Sequence, residues 1–110
     1  MVLRNPRHRP RPATRRLRRC VTDPAQTALL TGPGLCHGWA GTTAATWHAA
    51  RDSGDATLSA AACTLAGPLA SSADGDHPYG LIDGYAGAAL TLHDLATQAA
   101  GTWTRCLLLT

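Results

Sequence analysis

The chain has 110 residues, enough for one small domain, and its formal net charge of +3 averages two unlike parts. All ten basic residues are arginine and eight of them lie between Arg4 and Arg19, whereas all seven acidic residues are aspartate and begin at Asp23. Residues 20–110 therefore carry a net charge of −5, so the basic pI says little about the folded part. No apolar run reaches the roughly 18 residues of a membrane span. The basic start resembles no export signal, so we expect a cytoplasmic protein.

The first segment, residues 1–19, is rich in arginine and proline and almost without apolar side chains. Such a composition buries too little surface to offset the entropy of ordering, so we expect a disordered basic tail. Clustered arginine can bind phosphate, but no aromatic residues alternate with it and no nucleic-acid-binding fold follows. A solvated tail is therefore preferred over a nucleic-acid-binding arm or an organelle-targeting presequence.

Residues 20–110 predict an all-α fold, because small and apolar side chains recur at helical spacing between turn-forming residues. Asp23 before Pro24 is a favourable helix start. In chain order, the predicted helices are a short one from Pro24 to Gly32-Pro33, one from Gly41 to about Arg51, one from Ala56 closed by Gly67-Pro68, and one from about Ala86 to Ala99. The apolar end that starts at Trp103 is compatible with a strand or with a wedge against the last helix.

Two glycine-framed segments repeat with a period of 46 residues. The first frame, residues 34–41, reads G-L-C-H-G-W-A-G, and the second frame, residues 80–87, reads G-L-I-D-G-Y-A-G. Five of the eight positions are identical, and Trp39 aligns with Tyr85. A repeat of this length is typical of stacked helix pairs, of which at least three are needed to bury a continuous core. Since 110 residues hold about two such helix pairs, we expect the chain to be part of a larger structure.

Cys36 and His37 are adjacent in the first frame and are the candidate metal ligands. A thiolate and a neutral imidazole are good zinc ligands, and Gly34 and Gly38 permit the sharp turn that two neighbouring ligands need. The pair also precedes a helix start, where the dipole favours a thiolate. A catalytic zinc site needs three protein ligands, of which this pair supplies two. The alternative is a half-buried cysteine beside a capping histidine.

The stretch A-L-L-T-G-P-G-L-C-H-G-W-A-G, the second frame Y-G-L-I-D-G-Y-A-G-A-A-L-T-L and the ending W-T-R-C-L-L-L together resemble the C-terminal third of a lanthionine synthetase C-like (LanC-like) cyclase. The resemblance runs from about Asp23 to Leu109. It implies an α/α toroid, a ring of inner and outer helices in which the glycine-rich starts of the inner helices line the centre.

The resemblance also implies an activity. In that family zinc is held by two cysteines and one histidine, and Cys36 and His37 correspond to the second cysteine and the histidine. The zinc keeps a cysteine of a dehydrated precursor peptide as a thiolate, which adds to dehydroalanine or dehydrobutyrine to form a thioether ring. Partners implied are that peptide and the rest of a synthetase or a dehydratase.

The chain departs from the family in what it lacks. The first cysteine ligand belongs to a W-C-x-G motif one repeat earlier, and the family's acid/base residues belong to earlier helix pairs; neither occurs in these 110 residues. Cys20 lies 16 residues before Cys36, a spacing that fits neither frame, so we do not expect it to substitute. Cys63, in a predicted outer helix, is set aside as well, and Cys106 is expected to be a packed thiol.

The remaining candidates receive structural interpretations. We expect His48 and His93 to be packed or solvated on helix faces and Asp83, the counterpart of His37, to cap its helix or bond a neighbour. Trp39 and Tyr85 should pack at the starts of inner helices. The favoured hypothesis is an enzyme fragment that is inactive or nearly so alone, and the alternative is a non-catalytic module that completes a split or paralogous synthetase.

Overall fold

The structure is a computed structural model that describes residues 11–36, 38–72 and 74–99 together with Trp103 and Arg105. This described part is all-helical and contains no strand. Its five helices are α1 (Pro12–Thr22), α2 (Pro24–Thr27), α3 (Trp39–Ser53), α4 (Ala56–Ser72) and α5 (Tyr85–Thr97). The predicted all-α class is thereby confirmed.

The repeat seen in the sequence is also a repeat in three dimensions. Helices α3 and α5 begin 46 residues apart, and each follows an extended glycine, Gly38 or Gly84, at its N-cap. The backbone hydrogen bonds that start the two helices correspond as well: the Trp39 amide donates to the Gly32 carbonyl at 3.0 Å, and the Tyr85 amide donates to the Pro78 carbonyl at 2.9 Å. The two glycine frames therefore fold in the same way.

Two apolar clusters hold the helices together, and α4 contributes to both. The first cluster joins α1, α3 and α4 around Leu58, Leu65 and Ala50, and the second joins α3, α4 and α5 around Ala40, Leu69 and Ala88. The half-buried Trp39 packs against both clusters. The start of α3 is therefore fixed by packing on either side.

Helix α1 differs from the expectation of disorder over residues 1–19. Pro12 occupies the first turn, where its missing amide costs nothing. Leu17 and Val21, four residues apart and so on one face, pack against the first cluster, and Arg18 donates to Asp55 at 3.3 Å. The apolar face offsets the cost of ordering the arginine-rich helix. Residues 1–10 lie outside the described residues, so disorder there stays a prediction.

Helix α4 continues past the predicted stop at Gly67-Pro68 to Ser72. Pro68 is exposed within the helix, where a proline removes one backbone hydrogen bond. Leu69, next in the chain, is fully buried in the second cluster. Burying one leucine side chain contributes about 1.5–3 kcal/mol, which offsets much of the cost of the proline.

The described helices contain none that is long and apolar enough to cross a membrane. At the end of the chain, the Trp103 indole donates from Nε1 to Oδ2 of the buried Asp94 at 3.1 Å. The rest of the predicted apolar ending, Cys106 included, lies outside the described residues.

Candidate metal centre

Cys36 is held in place by the second frame. The Ile82 carbonyl, 46 residues further on, accepts hydrogen bonds from the Leu35 amide at 2.7 Å and from the Cys36 amide at 3.1 Å. The thiol of Cys36 is free and the residue is exposed. These two hydrogen bonds, one from Cys36 and one from Leu35, tie the backbone at Cys36 to the second frame, while the sulfur stays accessible.

Close backbone approaches explain the glycines of the first frame. A Cβ at Gly38 would lie 2.5 Å from the Gly34 amide nitrogen, and a Cβ at Gly41 would collide with the Leu35 carbonyl oxygen. No side chain fits at either position. Because these glycines carry no side chain, the segment before α3 can pack closely against the first turn of that helix. Cys36 therefore lies beside the start of α3.

The second frame has the same geometry but different chemistry. Gly84 and Gly87 would collide with the Pro78 and Leu81 carbonyl oxygens if they carried a Cβ. Ile82 and Asp83 occupy the places of Cys36 and His37, and both are exposed. The second frame therefore supports the first frame without offering a thiol or an imidazole.

Of the two metal ligands predicted from the sequence, Cys36 and His37, the structure describes only Cys36. His37 lies outside the described residues, so its position beside a metal stays a prediction. Among the residues that the structure describes, no group of three or more histidine, cysteine, aspartate or glutamate side chains is arranged to hold a metal. Cys36 by itself fits a zinc ligand, because it is an accessible soft donor on a fixed backbone.

A pocket of about 590 Å³ opens beside Cys36, between α1, α2 and the first turns of α3. This volume lies within the range of pockets that bind small ligands, roughly 300–1,000 Å³. Its lining includes both Cys36 and Cys20, the second of which lies near the end of α1. The sequence spacing gave no reason to pair these cysteines. The packing of α1 nevertheless brings both to one pocket, a relationship that only the tertiary structure reveals.

The other titratable candidates lie apart from this pocket. Cys63 is exposed on α4, and His48 is half-buried on α3. His93 is exposed, with Nδ1 4.0 Å from Oδ1 of Asp94. Asp83 has Oδ1 so near Gly80 that a Cβ there would lie 2.5 Å from it. None of these residues lines the pocket that holds Cys36.

The aromatic residues of the two frames pack at the helix starts, as predicted. Trp39 joins both clusters at the start of α3. Tyr85 packs against Tyr79 at a ring-centroid distance of 5.6 Å and against His77 at 5.9 Å, and its hydroxyl donates to the Gly75 carbonyl.

Fold and site together define an all-α protein of glycine-framed helical repeats with an accessible thiol at one frame. The family model described as lanthionine synthetase C-like protein matches residues 13–108, and the chain belongs to this family. The match begins within α1 and includes most of that helix. No curated protein and no solved structure matches the chain.

Proposed function

We propose that the chain carries the metal-binding part of a lanthionine-forming peptide cyclase. The observation that supports it best is the accessible thiol of Cys36, anchored by the second frame at the edge of a pocket. Membership of the LanC-like family adds to this. In this proposal the protein works in the cytoplasm on a precursor peptide whose serine and threonine residues have already been dehydrated.

The ligands in this proposal are Cys36 and His37. Both are donors that zinc prefers, and Cys36 fits because its sulfur is unpaired and exposed. When bound, zinc lowers the pKa of a coordinated thiol and leaves a position for a substrate thiol. In the reaction the peptide's cysteine thiol loses its proton and its sulfur forms a bond to the β-carbon of dehydroalanine or dehydrobutyrine. The double bond between the α- and β-carbons becomes a single bond, and the α-carbon takes up a proton.

The chain's own residues position the reactants. The Ile82 carbonyl accepts hydrogen bonds from the Cys36 amide at 3.1 Å and from the Leu35 amide at 2.7 Å. Together these two bonds hold the backbone at Cys36 in place. The adjoining pocket offers Leu30, Leu35 and Thr42 to a bound peptide. Such a lining suits the apolar and small polar side chains around a modified residue.

A second candidate function is a non-catalytic module that completes a split or paralogous synthetase. Among the described residues, three large apolar side chains are exposed: Leu29 at 75%, Tyr79 at 84% and Ile82 at 47%. Exposed apolar surface can mark a protein interface. In this reading the inner helix starts complete a ring with other helix pairs, and sizing of mixtures with such a synthetase tests it.

Zinc content is the direct test of the favoured function. The purified 110-residue chain should retain zinc after dialysis, the Cys36→Ser variant should lose it, and the Cys63→Ser variant should keep it. Cys63 is a matched control because it is also an exposed free thiol. Zinc that is absent from the wild type, or equal in both variants, contradicts the proposal.

A cyclisation assay tests the activity itself. We expect the isolated chain to close rings inefficiently on a dehydrated precursor peptide, because these 110 residues hold neither the W-C-x-G motif nor the earlier helix pairs of the family. Efficient ring formation by the chain alone would show that the expectation of inactivity is mistaken.

A further inference from the structure

The pocket beside Cys36 has a second thiol that the family resemblance does not assign. Cys20 is a free, exposed cysteine that lines the same pocket from α1. Leu17 and Val21 line it as well, and both pack against the first apolar cluster. Leu17 lies about one turn before Cys20 on α1, and Val21 is the next residue. The packing of these two side chains therefore fixes the side of α1 on which Cys20 lies.

The rotation of α1 is fixed by a polar contact too. Arg18 donates to Oδ2 of Asp55 at 3.3 Å, and the side chain of Asp55 is only 6% exposed. Arg15, Arg16 and Arg19 remain exposed. A rotation of α1 that turned Cys20 away from the pocket would break this contact and expose Val21, which is 8% accessible.

The chemistry of the lining indicates the kind of ligand. Among the described residues that line the pocket, none carries a charge, and the neutral polar side chains are Gln26, Thr27 and Thr42. Hard cations such as Mg²⁺ and Ca²⁺ need carboxylate or other oxygen ligands. Two thiols in an otherwise uncharged pocket favour a soft divalent cation.

We propose that Cys20 is a second thiolate ligand in this chain, which joins Cys36 on one thiophilic divalent cation in this pocket. This inference rests on the proposed function, since it concerns the same metal. It assigns to α1 of this chain the ligand role that the resemblance places in an upstream repeat. Each thiol gives up one proton to solvent when the cation binds.

Cobalt(II) is the probe that counts thiolates, because each thiolate bonded to it adds charge-transfer absorption in the near ultraviolet. Cobalt titrations of the wild type, Cys20→Ser, Cys36→Ser and Cys63→Ser should separate the roles. We expect the saturating absorption of Cys20→Ser to fall to about half that of the wild type, as two thiolates become one. Cys63→Ser should match the wild type.

A second measurement asks whether the two sulfurs can meet in the metal-free chain. A short bifunctional thiol reagent such as dibromobimane should link Cys20 to Cys36, identified by peptide mapping, and excess zinc should protect both thiols. Circular dichroism should show unchanged helix content in each serine variant, because both cysteines are exposed.

The outcomes distinguish this inference from the proposed function. If cobalt binding depends on Cys36 but is the same in Cys20→Ser and Cys63→Ser, the role of Cys20 is refuted and the proposed function stands. A wild type that binds no cobalt overturns both. If dibromobimane does not link Cys20 to Cys36, or if zinc protects Cys36 but not Cys20, the inference is also refuted.

Discussion

The amide of Cys36 donates a hydrogen bond to the carbonyl of Ile82 at 3.1 Å, and these two residues are counterparts in the 46-residue repeat. The same carbonyl accepts from the Leu35 amide at 2.7 Å. The frames are therefore joined at the position where they differ most in chemistry. One frame offers the thiol, and the other fixes the backbone that carries it.

Gly34→Ala should loosen this junction. A Cβ at Gly34 would lie 3.0 Å from both the Asp83 Cα and the Ile82 oxygen, so the frames must separate slightly. Overpacking of this kind costs about 1–3 kcal/mol. We expect faster hydrogen exchange of the Leu35 and Cys36 amides, measured by NMR. Thr31→Ala, at a nearby exposed position, is the control, and equal exchange in the two variants would contradict the prediction.

Gly41→Ala should lower the stability of the fold much more than Gly67→Ala. A Cβ at Gly41 would collide with the Leu35 carbonyl oxygen, whereas a Cβ at Gly67 meets no atom within 4 Å outside its two chain neighbours, of which Pro68 is one. We expect Gly41→Ala to lower the free energy of unfolding by about 1–3 kcal/mol. Gly67→Ala should change it by less than about 1 kcal/mol, because the helix preference of alanine is opposed by contact of the new Cβ with Cδ of Pro68. Urea denaturation measures both.

Gly87→Ala extends this test to the second frame. Its Cβ would collide with the Leu81 carbonyl oxygen and would also lie 2.9 Å from Cγ of Leu35. The expected loss of stability is similar, about 1–3 kcal/mol. If Gly87→Ala resembled Gly67→Ala in urea denaturation, the two frames would not share one backbone geometry.

We expect the capping hydrogen bonds of Asp55 to stabilise the fold more than its ion pair with Arg18 does. Its Oδ1 accepts from the amides of Thr57 at 2.8 Å and Leu58 at 3.1 Å, and its Oδ2 accepts from Arg18 at 3.3 Å. Loss of a cap costs about 0.5–2 kcal/mol, whereas a bridge to a partly exposed arginine is worth about 0–1 kcal/mol.

We therefore expect Asp55→Ala to destabilise the chain more than Asp55→Asn, which keeps a side-chain oxygen at the cap. Arg18→Ala should resemble Asp55→Asn in urea denaturation. Equal losses for Asp55→Ala and Asp55→Asn would mean that the charge, and not the cap, dominates.

Gln98→Gly should stabilise the end of α5. Gln98 is the C-cap and has a φ of 52°, a left-handed conformation that glycine adopts freely, and Gly54 with φ 65° is the C-cap of α3. A non-glycine residue there costs roughly 1 kcal/mol. The bond from Arg51 to the Gln98 carbonyl at 2.8 Å uses the backbone and survives the change. Thermal denaturation should show a raised Tm, and Gly54→Ala should lower it.

The sequence was sufficient for the elements that short-range patterns govern. The 46-residue period predicts that α3 and α5 start alike. Asp23 before Pro24 predicts the start of α2, where the Asp23 carboxylate accepts from the Ala25 amide at 2.9 Å, although α2 ends at Thr27 and not near Gly32. These features depend on neighbours within one or two turns, so composition and spacing reveal them.

Features that depend on distant packing were missed. The arginine-rich composition hid α1, whose order comes from contacts of Leu17 and Val21 with residues of α3 and α4. Gly67-Pro68 suggested a stop that the burial of Leu69 against Ala40 and Ala88 overrides. The approach of Cys20 to the pocket of Cys36 follows from the same docking of α1. No spacing rule could have shown it.

The anchor for Cys36 is a peptide group, while the Ile82 side chain remains 47% exposed. Substitutions at position 82 can therefore replace the side chain without disturbing the hydrogen bonds that the carbonyl accepts from Leu35 and Cys36. We therefore expect relatives to vary in side chain at this position while the carbonyl keeps its two hydrogen bonds. Its importance would become visible only in a backbone substitution, such as an ester in place of the amide that follows Ile82, which weakens the carbonyl as an acceptor.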